Sequence, residues 1–229
     1  MKSVRSCLLS SGVMAGMLAL TSLPAHAIEA FTAQYQASAM GMQGEGQMSV
    51  TPQSGNRWQY SLSIRNQLVD LSQKTVFDEQ NGRLRPLSSS DVSRVLVKKK
   101  AVDTLYDWSK AQATWSGDIK PERAGPLKLQ AGDMDALLVN LAIVRDVAAG
   151  KPLRYRMIEN GRAKPMNYQV AGKEQITVGG KPREATKVIR TDGDKQMVVW
   201  VVPDMPVPAR ILQRENGQDS IDLTIKSWK

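Results

Sequence analysis

The chain has 229 residues, a net charge of +9, one cysteine and one histidine. Cys7 and His26 both lie in Met1–Ala27, a segment we predict to be removed, so the mature chain is expected to lack a thiolate nucleophile, an imidazole base and a His- or Cys-ligated metal. We therefore expect no catalytic residue, no metal and no cofactor, and a mature charge of +7 once Lys2 and Arg5 are lost.

The first 27 residues have the parts of a secretory signal peptide. Lys2 and Arg5 precede the apolar stretch Val13–Leu20, and Ala25-His26-Ala27 supplies the small residues that a signal peptidase recognises. The apolar stretch is far shorter than the ~20 residues that span a bilayer, which argues against a retained anchor. We predict cleavage after Ala27, export to the periplasm, and a mature protein that is not an integral membrane protein of the helical kind.

Turn dipeptides recur along the mature chain. Asn-Gly and Asp-Gly favour two-residue hairpin turns because their central residues need positive φ, so the pattern predicts an antiparallel meander. The dipeptides are Asn81-Gly82, Asn160-Gly161, Gly179-Gly180, Asp192-Gly193 and Asn216-Gly217.

The runs between these turns alternate between apolar and polar residues. A period of two predicts strands with one buried and one wet face. Val198–Val202 is apolar at both odd and even positions, and therefore on both faces, and it is predicted to be the most buried strand. The predicted inward-facing sets are Trp58, Tyr60, Leu62 and Ile64; Leu153, Tyr155 and Met157; Met166, Tyr168 and Val170; and Ile221, Leu223 and Ile225.

One stretch breaks the period of two. From Asp133 to Ala149 the apolar residues recur at intervals of three and four, which predicts an amphipathic helix at about 133–149. Asp133 is predicted as its N-cap, Asp135 as a first-turn acid, and Gly150 as the residue after its C-terminal end.

These elements predict a mainly β fold, with residues 28–229 forming a single β-rich domain. So many antiparallel strands are expected to form a curled sheet, as a half-barrel, an open barrel or a β-spiral. The amphipathic helix is expected to pack on or plug the concave face. The interior is then either a filled core or a pocket.

The densest basic run is Arg94 with Lys98, Lys99 and Lys100. It is a candidate contact for an anionic surface such as lipid head groups. An edge strand guarded by lysine against aggregation explains the run equally well. Nucleic acid is not expected as a partner in the periplasm.

Large apolar side chains supply the candidate ligand-facing residues. In a β protein the five tryptophans and the methionines usually fill the core, although they also suit a lipid or glycan site. If the interior is a pocket, we expect its lining to include Leu62, Leu138, Leu141, Met157, Tyr168, Trp200 and Leu223.

Carboxylates are the remaining candidates for acid–base chemistry. Asp133 and Asp135 are two positions apart and do not face each other on a helix, so capping explains them better. Asp107 between Tyr106 and Trp108 has the sequence of an acid with a raised pKa, but one polar strand residue between two buried neighbours explains it better.

Several short segments together resemble one known family. The resemblance covers roughly Phe31 to the C-terminus and is to exported Gram-negative proteins known only as domain of unknown function 3108. It implies a curled antiparallel sheet with a helix, similar in shape to Lol-type periplasmic lipoprotein carriers and β-spiral envelope proteins, and it transfers no functional residue. The segments are Tyr106–Trp108, the helix opening at Asp133, Gly150–Leu153, Gly172–Glu174, Val178–Gly180, Val199–Asp204, Pro208–Ile211 and Ile221–Trp228.

Three functions follow from these observations. The first is a non-enzymatic periplasmic protein that binds or carries an apolar or amphipathic ligand, such as a lipid or a lipoprotein. The second is an envelope assembly or interaction factor that holds a protein partner through a sheet edge or the basic run. The third is a glycan hydrolase that uses carboxylates alone.

Overall fold

The computed structural model describes residues 28–229, and the predicted signal peptide lies outside them. Within these residues strands dominate, with one α-helix and a 3₁₀ turn at Pro121–Arg123. The strands are β1 (Phe31–Ala39), β2 (Met42–Gln53), β3 (Arg57–Arg65), β4 (Val69–Gln80), β5 (Arg83–Val95), β6 (Lys98–Asp107), β7 (Gln112–Gly117), β8 (Leu127–Lys128), β9 (Asp133–Met134), β10 (Arg154–Glu159), β11 (Arg162–Asn167), β12 (Gln169–Val178), β13 (Lys181–Asp192), β14 (Lys195–Val201), β15 (Arg210–Glu215) and β16 (Gln218–Trp228).

Thirteen of the strands form one antiparallel sheet in the order β12-β13-β14-β15-β16-β1-β2-β3-β4-β5-β6-β7-β8. Within β1–β8 and within β12–β16, each strand pairs with the next strand of the chain, which gives two meanders. The last strand, β16, pairs with the first, β1, and this pair joins the two meanders. The sheet is curled and open, with β12 and β8 at its edges, so the predicted fold class is confirmed. Strands β11, β10 and β9 form a small second sheet.

A twisted sheet of this width curls because each strand is rotated relative to the last. Register shifts at Gln34/Tyr35, Val76/Phe77 and Gln213/Arg214 add local bends of the kind that bulges produce. The curl encloses one large core. Its fully buried members include Tyr35, Met48, Tyr60, Phe77 and Leu223.

The helix α1 (Ala136–Ala148) packs against β3, β4, β5 and the small sheet. Asp135, and not the predicted Asp133, is its N-cap, because the Asp135 carboxylate accepts the backbone N–H of Leu138 at 2.9 Å. Asp133 instead accepts the Arg156 guanidinium from β10 at 2.6 and 2.8 Å. Gly150 follows the helix with φ +62°, as predicted.

The alternation of apolar and polar residues correctly predicted which face of most of these strands is buried. Val198–Val202 is buried on both parities, and Tyr155, Met157 and Tyr168 are buried. Val170 is an exception, because it lies on the edge strand β12, beside a register shift, with 60% of its surface exposed. Among residues 28–229, no helix is both long and apolar enough to cross a membrane.

Candidate functional site

A cleft of about 780 Å³ lies between the second half of α1 and one end of the curled sheet. We call it the apolar cleft. The helix supplies one wall, and the segment that follows β14 supplies the opposite one. Its apolar lining is Ile28, Phe31, Leu84, Leu141, Val144, Val147, Ala148, Val201, Val202, Pro203, Met205 and Pro206.

The local sequence explains both walls. Leu141, Val144 and Ala148 recur at intervals of three and four, so they share one face of the helix. Proline cannot donate to a strand ladder, so Pro203 ends β14 and the chain leaves the sheet there. The Tyr35 hydroxyl donates to the carbonyl of Pro208 at 2.7 Å and fastens the far end of this segment to β1.

Charged residues also line the apolar cleft. They are the acids Glu29, Glu79 and Asp204 and the base Arg145. Arg145 donates to the Gly82 carbonyl at 3.2 Å. The cleft therefore combines an apolar lining with a few charged groups of net negative sign, which suits a ligand with one apolar and one polar part.

A second cavity of about 330 Å³ lies beneath the N-terminal end of α1. We call it the polar cavity. The strand register places Leu62, Gln73, Asp91 and Val102 in one row across β3–β6. An adjacent row consists of Tyr60, Thr75, Ser89 and Thr104. Leu62, Gln73, Thr75, Ser89, Asp91, Val102 and Thr104 line this cavity.

Asp135 closes the polar cavity from the helix side. Its carboxylate accepts the Thr75 hydroxyl as well as the Leu138 N–H. Burial raises the pKa of Asp135 to about 6, against the lowering effect of these hydrogen bonds. Burial also raises the pKa of Asp91, where the Gln73 hydrogen bond and the charge of Lys100 act in the opposite sense.

Some of the predicted ligand-facing residues reach these cavities and others do not. Leu62 and Leu223 line the polar cavity, and Leu141 lines the apolar cleft. Four others are buried in the main core and line neither of the two cavities: Leu138, Met157, Tyr168 and Trp200.

Trp200 belongs to a polar cluster on the opposite face of β14 from Val201. Its indole N–H donates to the Glu174 carboxylate at 2.7 Å. The Arg210 guanidinium lies 4.8 Å and the Lys187 ammonium 5.5 Å from its ring centroid. From β14, Trp200 therefore interacts with charged residues of the three strands β12, β13 and β15.

The basic run lies at the turn between β5 and β6. Arg94 is the second-last residue of β5, and Lys98, Lys99 and Lys100 begin β6; all four are exposed. Lys100 also lines the polar cavity. On one side, Lys98, Lys99 and Lys100 pair with β5. On the other side, the pairing of β6 with β7 begins only at Val102, so the three lysines form an edge of the sheet there.

Among the carboxylates, Asp107 is half-buried, and hydrogen bonds from the Ser109 hydroxyl and the Lys110 amide lower its pKa. It therefore lacks the raised pKa of a general acid. Sequence reasoning missed Gln73, Thr75 and Asp91. Gln73 and Thr75 share the parity of Leu71 and Phe77 on β4, and this alternation is the signal that identifies their inward face. Asp91 follows a register shift in β5, and its place comes from its pairing with Gln73.

Comparisons with known proteins agree with this fold. Residues 31–224 match the family described as "Protein of unknown function (DUF3108)". The crystal structure of a β-barrel-like protein of domain of unknown function DUF1849 from Brucella abortus is similar with a TM-score of 0.55 and 10% identity, covering 87% of this chain and 97% of that one. No curated protein matches the chain.

Two further solved structures are more distant. One is MucB, with a TM-score of 0.33 and 10% identity, covering 87% of this chain and 52% of that one. The other is the Pseudomonas aeruginosa MucA/MucB complex, with a TM-score of 0.36 and 12% identity, covering 87% of this chain and 51% of that one. The chain thus spans about half the length of these structures.

Proposed function

We propose that this chain, which belongs to the DUF3108 family, is a non-enzymatic protein of the bacterial periplasm that binds an apolar or amphipathic ligand in the apolar cleft. The observation that carries the proposal is the cleft itself. Its volume of about 780 Å³ lies within the range of roughly 300–1,000 Å³ that small-molecule sites occupy.

The charges of the cleft suggest the polar part of the ligand. Three carboxylates, on Glu29, Glu79 and Asp204, outnumber the single guanidinium of Arg145. A negative head group would meet like charge in a partly desolvated site, which is unfavourable. An apolar chain with a neutral or cationic head group is therefore the expected ligand class.

The periplasmic location rests on the predicted signal peptide. Protein purified from its native host should begin at Ile28 when its N-terminus is sequenced by mass spectrometry. Protein that retains Met1 would contradict export with cleavage.

The ligand proposal is tested with N-phenyl-1-naphthylamine, an uncharged probe whose fluorescence rises in apolar sites. Ala148 lines the cleft on an exposed part of the helix, so Ala148→Phe fills the mouth without disturbing the core. Ala149, one residue further on, does not line the cleft, so Ala149→Phe is the matched control. Native mass spectrometry of gently purified protein would show any ligand carried from the cell.

We expect saturable probe binding by the wild type and by Ala149→Phe, and binding weakened about tenfold or more by Ala148→Phe, the result of blocking a contact worth ~1.4 kcal/mol or more. Absence of probe binding and of any co-purified amphiphile would overturn the proposal. Equal binding of the probe by the two phenylalanine variants would show that the probe binds outside the apolar cleft.

A protein partner is the second candidate, and the edge strand β12 favours it. Its residues Gln169 to Thr177 are exposed apart from the half-buried Ile176, and one side of the strand has no neighbour within the described sheet. Such an edge can accept an added strand. A photocrosslinking residue at Val170 should then capture one defined protein in the periplasm, and a residue at Gly55 in a distant turn should not.

The proposal of no catalysis is tested on Asp91 and Asp135. Both carboxyls line the polar cavity and have a raised pKa, which is the property of a general acid. We expect no release of soluble fragments from purified peptidoglycan. Release by the wild type that is lost in Asp91→Asn would instead establish the glycan hydrolase.

A further inference from the structure

Three turns lie side by side at the end of the sheet opposite the apolar cleft. They connect β1 to β2, β3 to β4, and β5 to β6. The Asn66 side-chain amide donates to the carbonyls of Ala39 and Met42 at 3.0 and 3.2 Å, and the Leu96 N–H donates to the Leu68 carbonyl at 2.7 Å. The three turns therefore form one connected rim.

Apolar side chains project from this rim into solvent. Val97 is 94% exposed, Leu96 60% and Met40 54%. They are three of the six exposed large apolar residues among residues 28–229, and they occupy the tips of two hairpins. Packing within the protein does not account for them.

Backbone conformation does not account for Leu96 either. Leu96 has φ +55°, whereas Val97 has no positive φ. A hairpin turn with positive φ only at its first central residue favours glycine there. The β4–β5, β10–β11 and β15–β16 turns carry asparagine at the equivalent position: Asn81, Asn160 and Asn216.

Cations surround the tip on both faces of the hairpin. Arg94 pairs with Lys99, and Val95 pairs with Lys98, so the two cross-strand pairs point to opposite faces. Like charges directly opposite each other are unfavourable. Within the described chain, none of Arg94, Lys98, Lys99 and Lys100 has a carboxylate within ion-pair distance.

The nearby acids have other partners. Asp70, the cross-strand neighbour of Arg94 on β4, accepts from Arg65 at 3.3 Å. Asp118 accepts the backbone N–H of Ala101 at 2.8 Å. Lys100, at the base of the hairpin, lies close enough to Asp91 for its charge to lower the pKa of that carboxyl. The tip itself presents an apolar point flanked by Arg94 and Lys99 on one face and Lys98 on the other, without an ion-pair partner among the described residues.

We propose that the β5–β6 hairpin docks end-on into the head-group layer of a bilayer that contains anionic phospholipid. Leu96 and Val97 enter the boundary between head groups and acyl chains, and the flanking cations contact lipid phosphates. The positions of the cations on both faces favour insertion of the tip and disfavour a sheet face lying flat on the surface.

Docking also orients the rest of the molecule. Ser93 and Lys100, at the base of this hairpin, line the polar cavity, so that cavity is at the membrane end. The β4–β5 turn and the segment after β14 bound the apolar cleft at the other end, which faces away. Membrane docking is therefore independent of ligand binding in the cleft.

The test is co-sedimentation of the mature protein with vesicles of phosphatidylcholine alone and of phosphatidylcholine with one third phosphatidylglycerol, at low and high salt. Leu96→Gly removes the apolar side chain and relieves the positive φ, so it should not lower stability. Leu105, 59% exposed on β6 but remote from the tip, provides the matched control Leu105→Ser. Lys98→Gln/Lys99→Gln tests the charge.

We expect binding only to vesicles with phosphatidylglycerol, weakened by salt because the charges are exposed. Each cation near such a surface contributes roughly fivefold to partitioning, so the double lysine variant should bind about 25-fold more weakly. Leu96→Gly should bind severalfold more weakly with an unchanged or higher urea midpoint, and Leu105→Ser should bind as the wild type.

Failure of the wild type to sediment with anionic vesicles would overturn the proposal. So would equal binding to phosphatidylcholine alone, or equal effects of Leu96→Gly and Leu105→Ser. Ala148→Phe, which blocks the apolar cleft, should bind vesicles normally. Membrane docking and ligand binding are therefore tested separately.

Discussion

Asp135 links the stability of the fold to pH, because its carboxyl is buried at the start of the helix. Burial raises its pKa from an ordinary value of 3.8 to about 6 in the folded state. The folded protein therefore binds this proton more tightly than the unfolded chain does. The stabilising contribution is fully present below the unfolded pKa and is lost as the pH rises through the folded pKa.

The magnitude follows from the shift. Two pKa units correspond to about 3 kcal/mol, of which about 2 kcal/mol should be lost between about pH 4 and pH 7. In Asp135→Asn the amide oxygen can still accept the Leu138 N–H, and asparagine is a good N-cap, so the helix should remain. The variant lacks the titrating group, so its stability should not include this term.

The assay is urea unfolding followed by tryptophan fluorescence at several pH values. The free energy of unfolding of the wild type minus that of Asp135→Asn should fall by about 2 kcal/mol from about pH 4 to pH 7. Asp107→Asn is the control, because the pKa of Asp107 is lowered and its difference should change in the opposite direction. Parallel stability curves for the wild type and Asp135→Asn would refute the reasoning.

Three further changes test the packing by urea midpoints. Leu138→Ala empties a fully buried position on the helix and should cost about 2–5 kcal/mol, and a loss below about 1 kcal/mol would contradict its central place in the core. Gly44→Ala puts a Cβ 2.1 Å from the Arg65 carbonyl oxygen and should destabilise more than Gly46→Ala, whose nearest contacts are side chains at 3.2 Å; the reverse order would contradict this packing. Asn66→Ala removes two hydrogen bonds that join the β1–β2 and β3–β4 turns and two within the β3–β4 turn, and it should cost about 1–3 kcal/mol and speed amide exchange in both turns; unchanged exchange would exclude the bridge.

The sheet could be predicted because its signals are local. Alternation and turn dipeptides specify strands and hairpins within about ten residues of each other, and a meander needs little more. The N-cap of the helix could not be assigned in this way. Asp133 and Asp135 are equivalent in local sequence, and the choice is made by Arg156 on β10, which binds Asp133 from 23 positions away.

The candidate site was less accessible to sequence reasoning. Leu62 and Leu223 lie on strands with one polar face, so their parity predicts the interior. Val198–Val202 is apolar on both parities, so the sequence does not indicate which face of β14 Trp200 occupies. Its place follows from Glu174 and Arg210 on neighbouring strands, which form its contacts.

The helix divides the interior into two compartments of different character. Its N-terminal residues line the polar cavity and its C-terminal residues line the apolar cleft. The other buried helix residues Leu138, Val139 and Ile143 line neither. Because protein interiors are close-packed, we expect side chains at these positions to separate the two compartments. A ligand in the cleft should therefore leave the titration of Asp135 unchanged, and Ala148→Phe should show the same pH dependence of stability as the wild type. A shifted pH dependence in that variant would show that the two compartments are coupled through the helix.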